Sequence, residues 1–317
     1  VQGGSVVKPL VGPQQDGPGD AAVVRPKLDS ARGIALGCGL QTGISEAFNG
    51  DSYWMVLAAI DEAVRNLVCV GADPTRIALL DNFCWPSCTD PKNLGSLVRA
   101  SEACYDGAMA YKAPFVSGKD SLNNQFTTED GKIIAIPPTM LITALGIVPD
   151  TNKCITMDAK SPGNALFIVG NTSGENLPHT DLAAGPANAA AVASLIANSL
   201  VDSAHDCSDG GLLVAAAEMA FAGRVGLDLD LQALPCESPT SPAAACFAES
   251  PSRYLLEIAP KHFDAAVRAL RDAGVPFAQI GRFDDHDRLT VRTAQDGQLL
   301  DESLDTLRQT WLSPLDW

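Results

Sequence analysis

The sequence predicts a mixed α/β fold organised as two domains. A chain of 317 residues is long enough for two domains with separate cores. Short apolar runs of strand length alternate with segments of helical periodicity, which favours mixed sheets packed against helices. A polar, turn-rich segment at residues 149–163 interrupts this alternation near the middle and predicts the domain boundary.

The first domain is predicted at residues 20–150, after a Gly-, Pro- and Gln-rich linker or extended arm at 1–19. Apolar residues at three- and four-residue spacings predict a helix over 51–70, with a stripe of Leu57, Ile60, Val64 and Leu67. Asp51 or Ser52 is the expected cap, and Gly71 the expected end. The other predicted elements are strands at 21–25, 33–36, 77–80, 114–117 and 139–148 and a helix at 91–111.

The second domain is predicted at residues 160–317, where strands and helices continue to alternate. The predicted strands are 165–169, 225–230, 253–259 and 277–283, and the predicted helices are 183–199, 209–223 and 261–273.

Composition narrows the range of partners. A net charge of −16 argues against electrostatic binding to nucleic acid or to an anionic membrane. It is compatible with a nucleotide substrate. No apolar run approaches the ~20 residues that a membrane helix needs. The first residues lack an initiating Met and the pattern of a signal peptide, so the sequence looks like a chain cut from a longer one.

The nine cysteines follow no disulfide framework and indicate reduced thiols in a cytoplasmic protein. Cys84 and Cys88 are spaced as C-x3-C, but no second Cys or His pair follows at the spacing of a zinc finger. The sequence therefore disfavours a zinc site.

Two polar residues on the 51–70 helix suggest a cation site. Glu62 and Asn66 are four residues apart and therefore lie on one helix face. A carboxylate and an amide oxygen so aligned are suitable ligands for a hard cation such as Mg²⁺. The alternative is a solvated polar face, which is the common arrangement on helices.

A denser polar cluster spans residues 204–212. Asp206, Ser208 and Asp209 come between an apolar stretch and an apolar helix, and a double glycine follows them. Ser208 or Asp209 is a possible helix N-cap. The other interpretation is a phosphate site at the helix N-terminus, with an Asp holding the accompanying metal. His205 lies within this segment, directly before Asp206, and as an isolated histidine it favours a packed or supporting role.

The segment Gly118–Ser121 is predicted to be a small polar turn after a buried strand. Gly118 lets a ligand approach the backbone, and Lys119 offers a mobile charge to phosphate. The segment is not a Walker A loop, and a plain hairpin turn is the alternative. Asp81 directly follows another predicted strand. Polar residues at the ends of strands often border a ligand cleft. No pattern of a covalent hydrolase is present.

Taken in order, six strings resemble the second half of the phosphoribosylformylglycinamidine synthase family. They are GDAAVVRP (19–26), DEAVRNLVCVGADP (61–74), LLDNFCWP (79–86), VSGKDSLNN (116–124), HDCSDGGLLVAAAEMAFAG (205–223) and FAESPSRYLLEI (247–258). The resemblance implies an aminoimidazole-ribonucleotide (AIR) synthetase-like N-terminal domain followed by an AIR synthetase-like C-terminal domain. It also implies that the N-terminal domain pairs through its sheet with a counterpart, as in a homodimer.

The resemblance implies an ATP-dependent ligase of purine biosynthesis. In that reaction formylglycinamide ribonucleotide and ammonia from glutamine give the formylglycinamidine ribonucleotide. ATP activates the formamide oxygen as an iminophosphate, and ammonia displaces the phosphate. Positioning and charge neutralisation supply the catalysis, as in other phosphoryl transfers. Other ATP-dependent synthetases of the superfamily lack the six strings, so a different reaction is disfavoured.

The resemblance also assigns residues. Its metal ligands correspond to Asp20, Glu62, Asn66 and Asp206, and a nucleotide contact corresponds to Ser208. The ATP contacts of the catalytic site correspond to Asp81 and Gly118, and a substrate contact corresponds to Ser121. Lys119 stands where small members often have an Asn metal ligand, so metal ligation is not expected at that position.

Two expected parts are absent from this sequence. The family's catalytic His lies in the first half, and the glutaminase is a further domain or subunit. The resemblance therefore implies no catalytic residue in this chain and no activity without the first half. A second hypothesis is that bound ADP and Mg²⁺ only stabilise the fold, by mass action.

Overall fold

The computed structural model describes residues 3–174, 179–237, 240–293 and 297–315. The helices in this part are α1 (Ser52–Cys69), α2 (Pro91–Tyr111), α3 (Ala184–Ala197), α4 (Gly211–Gly223), α5 (Pro242–Phe247), α6 (Phe263–Ala273) and α7 (Leu304–Leu312). The strands of the first half are β1 (Ser5–Val7), β2 (Leu10–Val11), β3 (Gly17–Pro18), β4 (Ala22–Val24), β5 (Gly33–Leu40), β6 (Ile77–Cys84), β7 (Phe115–Ser121), β8 (Gln125–Thr127), β9 (Ile133–Ala135) and β10 (Thr139–Val148). Those of the second half are β11 (Ala165–Val169), β12 (Ser203–Asp206), β13 (Gly226–Asp230), β14 (Tyr254–Ile258), β15 (Phe277–Asp284), β16 (Arg288–Thr293) and β17 (Gly297–Ser303).

The first sheet has six strands in the order β1-β4-β5-β10-β6-β7. Its neighbours are antiparallel except β6 and β7, which run parallel. Helix α1 packs on β5 and β10, and α2 packs on α1. Every second residue of β10 is buried beneath the helices, in keeping with the two-residue period of a strand. The opposite face retains exposed apolar side chains, including Leu36 and Leu40.

The second sheet has seven strands in the order β12-β14-β11-β15-β13-β16-β17. All residues of β11 and β14 are buried, which explains their nearly unbroken apolar sequences. Helix α4 packs on β12 and β13, and α7 packs on α4. The expected mixed α/β class is therefore confirmed, with one mixed sheet in each half of the chain.

The segment expected to be a linker or extended arm contains three short strands. Strand β1 joins the first sheet beside β4, and β2 and β3 form a hairpin that packs against α4 of the second half. Two glycines permit this close approach, because a Cβ at Gly12 or Gly17 would lie 2.3 Å from Ala222. The hairpin leads directly to Asp20.

Several element boundaries match the predictions closely. Helix α2 and strands β10 and β11 have the predicted bounds, and α1 begins after Asp51, whose side chain accepts a hydrogen bond from Tyr53 N at 2.8 Å. Gly71 follows the end of α1 with φ of +94°. Strong periodicity and a suitable cap therefore locate these elements from sequence.

The predictions around Asp81 and Gly118 were wrong in one respect. Strand β6 continues through Asp81 to Cys84, and β7 continues from Phe115 through Gly118 to Ser121. Parallel pairing of the two strands satisfies the backbone of this polar segment, so no turn is needed. Gly118–Ser121 is thus an edge strand rather than a loop.

The alternative interpretation of Glu62 and Asn66 as a solvated polar face of α1 was also wrong. The helix lies between the first sheet and the second half of the chain, where it contacts α3 and β12. Asp61, Arg65 and Asn66 are consequently buried along with the apolar stripe. None of the helices in the described part is long and apolar enough to span a membrane.

Candidate functional site

The structure brings Asp20, Glu62, Asn66, Asp206 and Ser208 together where the two halves of the chain meet. The first three come from the segment before β4 and from α1, and the last two come from the end of β12 and the turn before α4. We call these five residues the interdomain cluster. Their order in the sequence hides this proximity, because Asp20 and Asp206 are 186 residues apart.

Asp20 binds the second half through one carboxylate oxygen. Its Oδ1 accepts the Asp206 backbone N–H at 3.0 Å and lies 2.7 Å from Nδ1 of His205. Its Oδ2 is buried and has no hydrogen-bond partner among the described residues. A buried carboxylate oxygen without a partner is costly, so this atom points to a missing cation or donor.

Glu62 connects the same two halves one helical turn before Asn66. Its Oε1 accepts from the Ser208 hydroxyl at 2.8 Å, and its Oε2 accepts from the Leu40 N–H and from Gln41 Nε2, both at 2.9 Å. The Asn66 amide nitrogen donates to the Cys38 carbonyl at 2.9 Å. That bond leaves the Asn66 side-chain oxygen as an acceptor for a further ligand.

Burial and neighbouring acids shift the pKa values of two carboxyl groups in this cluster, those of Glu62 and Asp206. Burial raises the pKa of Glu62, although hydrogen bonds from Gln41, Leu40 and Ser208 oppose the shift. Burial also raises the pKa of Asp206 to about 7, with Arg65 opposing and Asp20 reinforcing the shift. The raised pKa values indicate that the negative charges of these carboxylates are incompletely compensated by neighbouring protein cations. Such a site favours a bound cation.

His205 directly contacts the interdomain cluster, which the sequence did not indicate. Burial opposes its charged form, but Asp20 and Glu218 together raise the pKa of His205 well above its ordinary value. Its Nε2 lies 3.1 Å from Glu218 Oε2. Ligand atoms of Asp20, His205 and Asp206 lie within 4.8 Å of one another. The expected packed or supporting role fits this placement between two carboxylates.

The sequence interpretation missed a buried charge network beside the cluster. Arg65 forms an ion pair with Asp61, and its Nη2 lies 3.3 Å from Asp206 Oδ2. Asp61 also accepts hydrogen bonds from Ser252, through N at 2.8 Å and Oγ at 2.7 Å, and from the Tyr111 hydroxyl. Charged residues at positions 61 and 65 break the apolar pattern of α1, which was the available signal.

Ser208 does not cap α4. The N-cap position is Gly210, which has no side chain to accept a bond from the first turn and has φ of +75°, and Gly211 follows with φ of +71°. The Gly210 N–H donates to Glu249 Oε1 at 2.8 Å, while the Ser208 hydroxyl is directed to Glu62. The N-cap interpretation of Ser208 was therefore wrong, because the serine bridges the two halves instead.

Asp81, Gly118 and Ser121 lie at a different place, on the edge of the first sheet, and we call them the edge group. Asp81 pairs with Gly118 across β6 and β7, and a Cβ at Gly118 would lie 2.1 Å from Asp81 Oδ1. Burial, reinforced by Asp120, raises the pKa of Asp81. Strand β10 separates this edge from β5, which borders the interdomain cluster.

Ser121 lies farther along the edge strand. The Lys119 ammonium donates to the Ser121 hydroxyl, and both side chains are on the same side of β7 because they are two residues apart. Most of β7 is exposed. The edge group is thus open, in contrast to the enclosed interdomain cluster.

The two cysteines of the C-x3-C pair, Cys84 and Cys88, have different polar neighbours. All nine cysteines are free thiols in the described structure. The Cys84 thiol lies near the Asn82 side chain, and the Cys88 thiol lies near the Pro86 carbonyl.

Two family models match successive parts of the chain. The model of the AIR synthase related protein N-terminal domain matches residues 18–148, and that of the C-terminal domain matches 162–294. The chain is 31% identical to phosphoribosylformylglycinamidine synthase subunit PurL of Deinococcus radiodurans, over 94% of this chain and 41% of that subunit. It therefore spans about two fifths of the length of the curated relatives that it matches.

Solved structures show the same fold. The structure of PurLQS from Thermotoga maritima has a TM-score of 0.76 at 19% identity, covering 96% of this chain and 48% of that chain. T. maritima PurL complexed with ATP gives 0.73 at 18% identity, with 96% and 48% covered. The same protein complexed with FGAR gives 0.74 at 18% identity, with 96% and 50% covered.

Proposed function

Because this chain belongs to the AIR synthase related family and is homologous to PurL, we propose that it forms the second half of a phosphoribosylformylglycinamidine synthase. The proposed reaction is the ATP-dependent conversion of formylglycinamide ribonucleotide and glutamine-derived ammonia to the formylglycinamidine ribonucleotide. The relatives named PurL and the complexes of T. maritima PurL with ATP and FGAR support this assignment.

The observation that carries the proposal is the buried, partnerless oxygen of Asp20 within an acidic interdomain cluster. We assign Asp20, Glu62, Asn66 and Asp206 as ligands of Mg²⁺. Their carboxylate and amide oxygens are the hard ligands that this ion prefers. When bound, the ion supplies a counter-charge for the phosphates of a nucleotide.

A nucleotide, ATP or ADP, is the proposed occupant beside that ion, with Ser208 as a contact. The Ser208 hydroxyl already points into the cluster through its bond to Glu62, and the backbone of Gly210 and Gly211 lies at the start of α4. A helix N-terminus favours phosphate, and Gly210 and Gly211 at this terminus both have positive φ.

The edge group is proposed as one wall of the catalytic cleft. Asp81 and Gly118 would contact ATP there, and Ser121 would contact the ribonucleotide substrate. Asp81 and Ser121 lie on the parallel pair β6 and β7, whose exposed edge leaves room for a second wall. We assign no catalytic residue to this chain, since its residues at the edge bind and orient.

The second wall is proposed to come from the half of the enzyme that this chain does not include. A glutaminase domain or subunit would supply ammonia, in keeping with the PurLQS assembly of the relative. The exposed apolar face of the first sheet, which includes Leu36 and Leu40, suits pairing with the counterpart domain or a second copy. The nine free thiols favour the cytoplasm as the compartment.

One experiment tests the enzymatic proposal. The isolated chain is assayed with ammonia, ATP and formylglycinamide ribonucleotide, alone and after mixing with a separately produced first half. We expect no turnover from either part and product formation from the mixture. Ordinary turnover by the isolated chain would show that the cleft does not need a second wall.

A structural role for the bound nucleotide is the second candidate function. It is favoured by the enclosure of the interdomain cluster, because both halves of this one chain build that site. A structural nucleotide remains bound through purification, whereas a catalytic one exchanges with labelled ATP during turnover. Both roles can hold together if they belong to the two separate groups.

A further inference from the structure

The two residues of the buried ion pair of α1 belong neither to the interdomain cluster nor to the edge group. Asp61 and Arg65 lie one helical turn apart, and their side chains are 1% and 3% exposed. Burying two charges is unfavourable unless further hydrogen bonds support them, so the partners of this pair decide what it does.

Asp61 anchors this pair to the second half of the chain. It accepts from Ser252 N at 2.8 Å, from Ser252 Oγ at 2.7 Å and from the Tyr111 hydroxyl. The packing around these groups is tight, because a Cβ at Gly185 would lie 2.1 Å from the Tyr111 oxygen and 3.1 Å from Asp61. The Asp61 carboxylate is therefore held in one place by both halves.

Arg65 connects that anchor to the interdomain cluster. Its Nη1 binds Asp61, while its Nη2 lies 3.3 Å from Asp206 Oδ2 and 3.5 Å from the Cys207 carbonyl. The other Asp206 oxygen, Oδ1, lies 3.8 Å from Nδ1 of His205, which contacts Asp20. Arg65 thus fixes one oxygen of Asp206 and leaves the other on the side of Asp20.

The alternative is that Arg65 only neutralises Asp61. Asp61 already has three other donors, from Ser252 and Tyr111, so its oxygens do not depend on Arg65 alone. The planar guanidinium reaches Asp61 and Asp206 at once, which a Lys ammonium does not reproduce. The geometry therefore indicates a function directed at Asp206.

We infer that Arg65 is a positioning residue that orients Asp206 for the bound cation, held by Asp61 on α1, which Ser252 of the second half anchors. This inference rests on the proposed function, because Asp206 is one of the proposed Mg²⁺ ligands. Groups that hold a metal ligand in place usually change metal affinity 10–100-fold when they are replaced. Domain docking and cation binding are thereby coupled through one guanidinium.

The test measures ADP binding by calorimetry, once with Mg²⁺ and once with EDTA. Arg65→Lys keeps the charge and loses the planar fork. The double variant Asp61→Asn/Arg65→Met removes both charges together, which protects the fold better than removing one. The matched control is Arg99→Met, since Arg99 pairs with Asp51 at the other end of α1 and is 44% exposed.

We expect both test variants to bind ADP about 10-fold or more weakly than the wild type in the presence of Mg²⁺. Their affinity in EDTA should stay within about twofold of the wild type, whereas a merely structural role would weaken both. Arg99→Met should match the wild type in both conditions. Circular dichroism and thermal unfolding establish that the variants are folded.

The outcomes separate this inference from the proposal beneath it. A wild-type chain with no Mg²⁺-dependent ADP binding overturns the proposed site itself. A wild-type chain that binds, with a folded double variant that binds equally well, overturns only the role of Arg65. Weakening of the EDTA affinity by the same factor as the Mg²⁺ affinity also rejects positioning in favour of a structural pair.

Discussion

The interdomain cluster and the edge group differ in how completely this chain builds them. Both halves of the chain surround the cluster, and its Glu62 and Asp206 are held by partners from the opposite half or the neighbouring strand. In the edge group, Gly118 and Ser121 lie on β7, the outermost strand, where most side chains are exposed, and Asp81 lies on the adjacent β6. One site is enclosed, and the other has only one wall.

This difference separates the effects that each site has on the molecule. A ligand in the enclosed cluster contacts both halves and therefore stabilises the folded chain by mass action. A ligand at an open edge gains little until a second surface covers it. We therefore expect nucleotide-dependent stability from the cluster and assembly-dependent activity from the edge group.

The largest expected effect comes from Asp20→Asn, which removes a charged ligand but keeps the side-chain shape. We expect Mg²⁺-ADP affinity to fall at least about 100-fold, since replacing even supporting groups costs 10–100-fold. At an ADP concentration of about 100 times the wild-type Kd, ligand stabilisation should fall from about 2.7 to about 0.4 kcal/mol. Chemical denaturation with and without Mg²⁺-ADP measures both values.

If Asp20→Asn kept its full stabilisation by Mg²⁺-ADP, the interdomain cluster would not be the source of nucleotide-dependent stability. EDTA provides the control, since removing the cation from the wild type should abolish the same increment. Equal responses to EDTA in the wild type and in Asp20→Asn would place the cation elsewhere.

Local sequence patterns predicted the elements of each domain better than the contacts between domains. The nearly unbroken apolar run of β10 and the helical segment of α2 are local features of the sequence, and both elements have their predicted bounds. The burial of Asp61 and Arg65 depends on a surface that is distant in sequence, so the sequence analysis assigned no role to either residue. The apolar stripe accounted for only one of the two covered sides of this helix.

The residues of the candidate site also fall into those that the sequence indicated and those that it did not. The family resemblance selected Asp20, Glu62, Asn66, Asp206 and Ser208, and the structure brings them together, although their roles stay predictions. Neither the resemblance nor the spacing indicated Arg65, because its partners Asp61 and Asp206 become neighbours only when the two halves dock. The continuation of both strands, through Asp81 and through Gly118–Ser121, was missed because parallel pairing of β6 and β7 joins segments without a hairpin signal.

A smaller effect, confined to the edge group, is expected from Gly118→Ala. The new Cβ would lie 2.1 Å from Asp81 Oδ1, so the Asp81 side chain must turn away. Because a side-chain end can move, we expect a stability loss below about 1 kcal/mol. Activity of the complete enzyme should fall about 10-fold, since losing a well-placed contact is worth about 1.4 kcal/mol. Steady-state kinetics with varied ATP measures the loss.

Gly95→Ala is the matched control, because nothing lies within 4 Å of a Cβ at Gly95 and the position is inside α2. It should leave activity unchanged. The Mg²⁺-ADP affinity of the isolated chain should be the same in both glycine variants. A loss of that affinity in Gly118→Ala would mean that the two groups of residues do not act separately.

The smallest expected effect is that of Ser208→Ala, which tests the bridge between the two halves. The Ser208 hydroxyl donates to Glu62 Oε1 at 2.8 Å, and an intramolecular hydrogen bond contributes about 1 kcal/mol net. We expect about 1 kcal/mol lower stability without ligand and Mg²⁺-ADP affinity lower by about fivefold. Ser45→Ala is the matched control, since the Ser45 hydroxyl is buried without a hydrogen-bond partner among the described residues. Equal losses in the two variants would show that the bond to Glu62 contributes nothing, and the enclosed cluster would then depend on its acids alone.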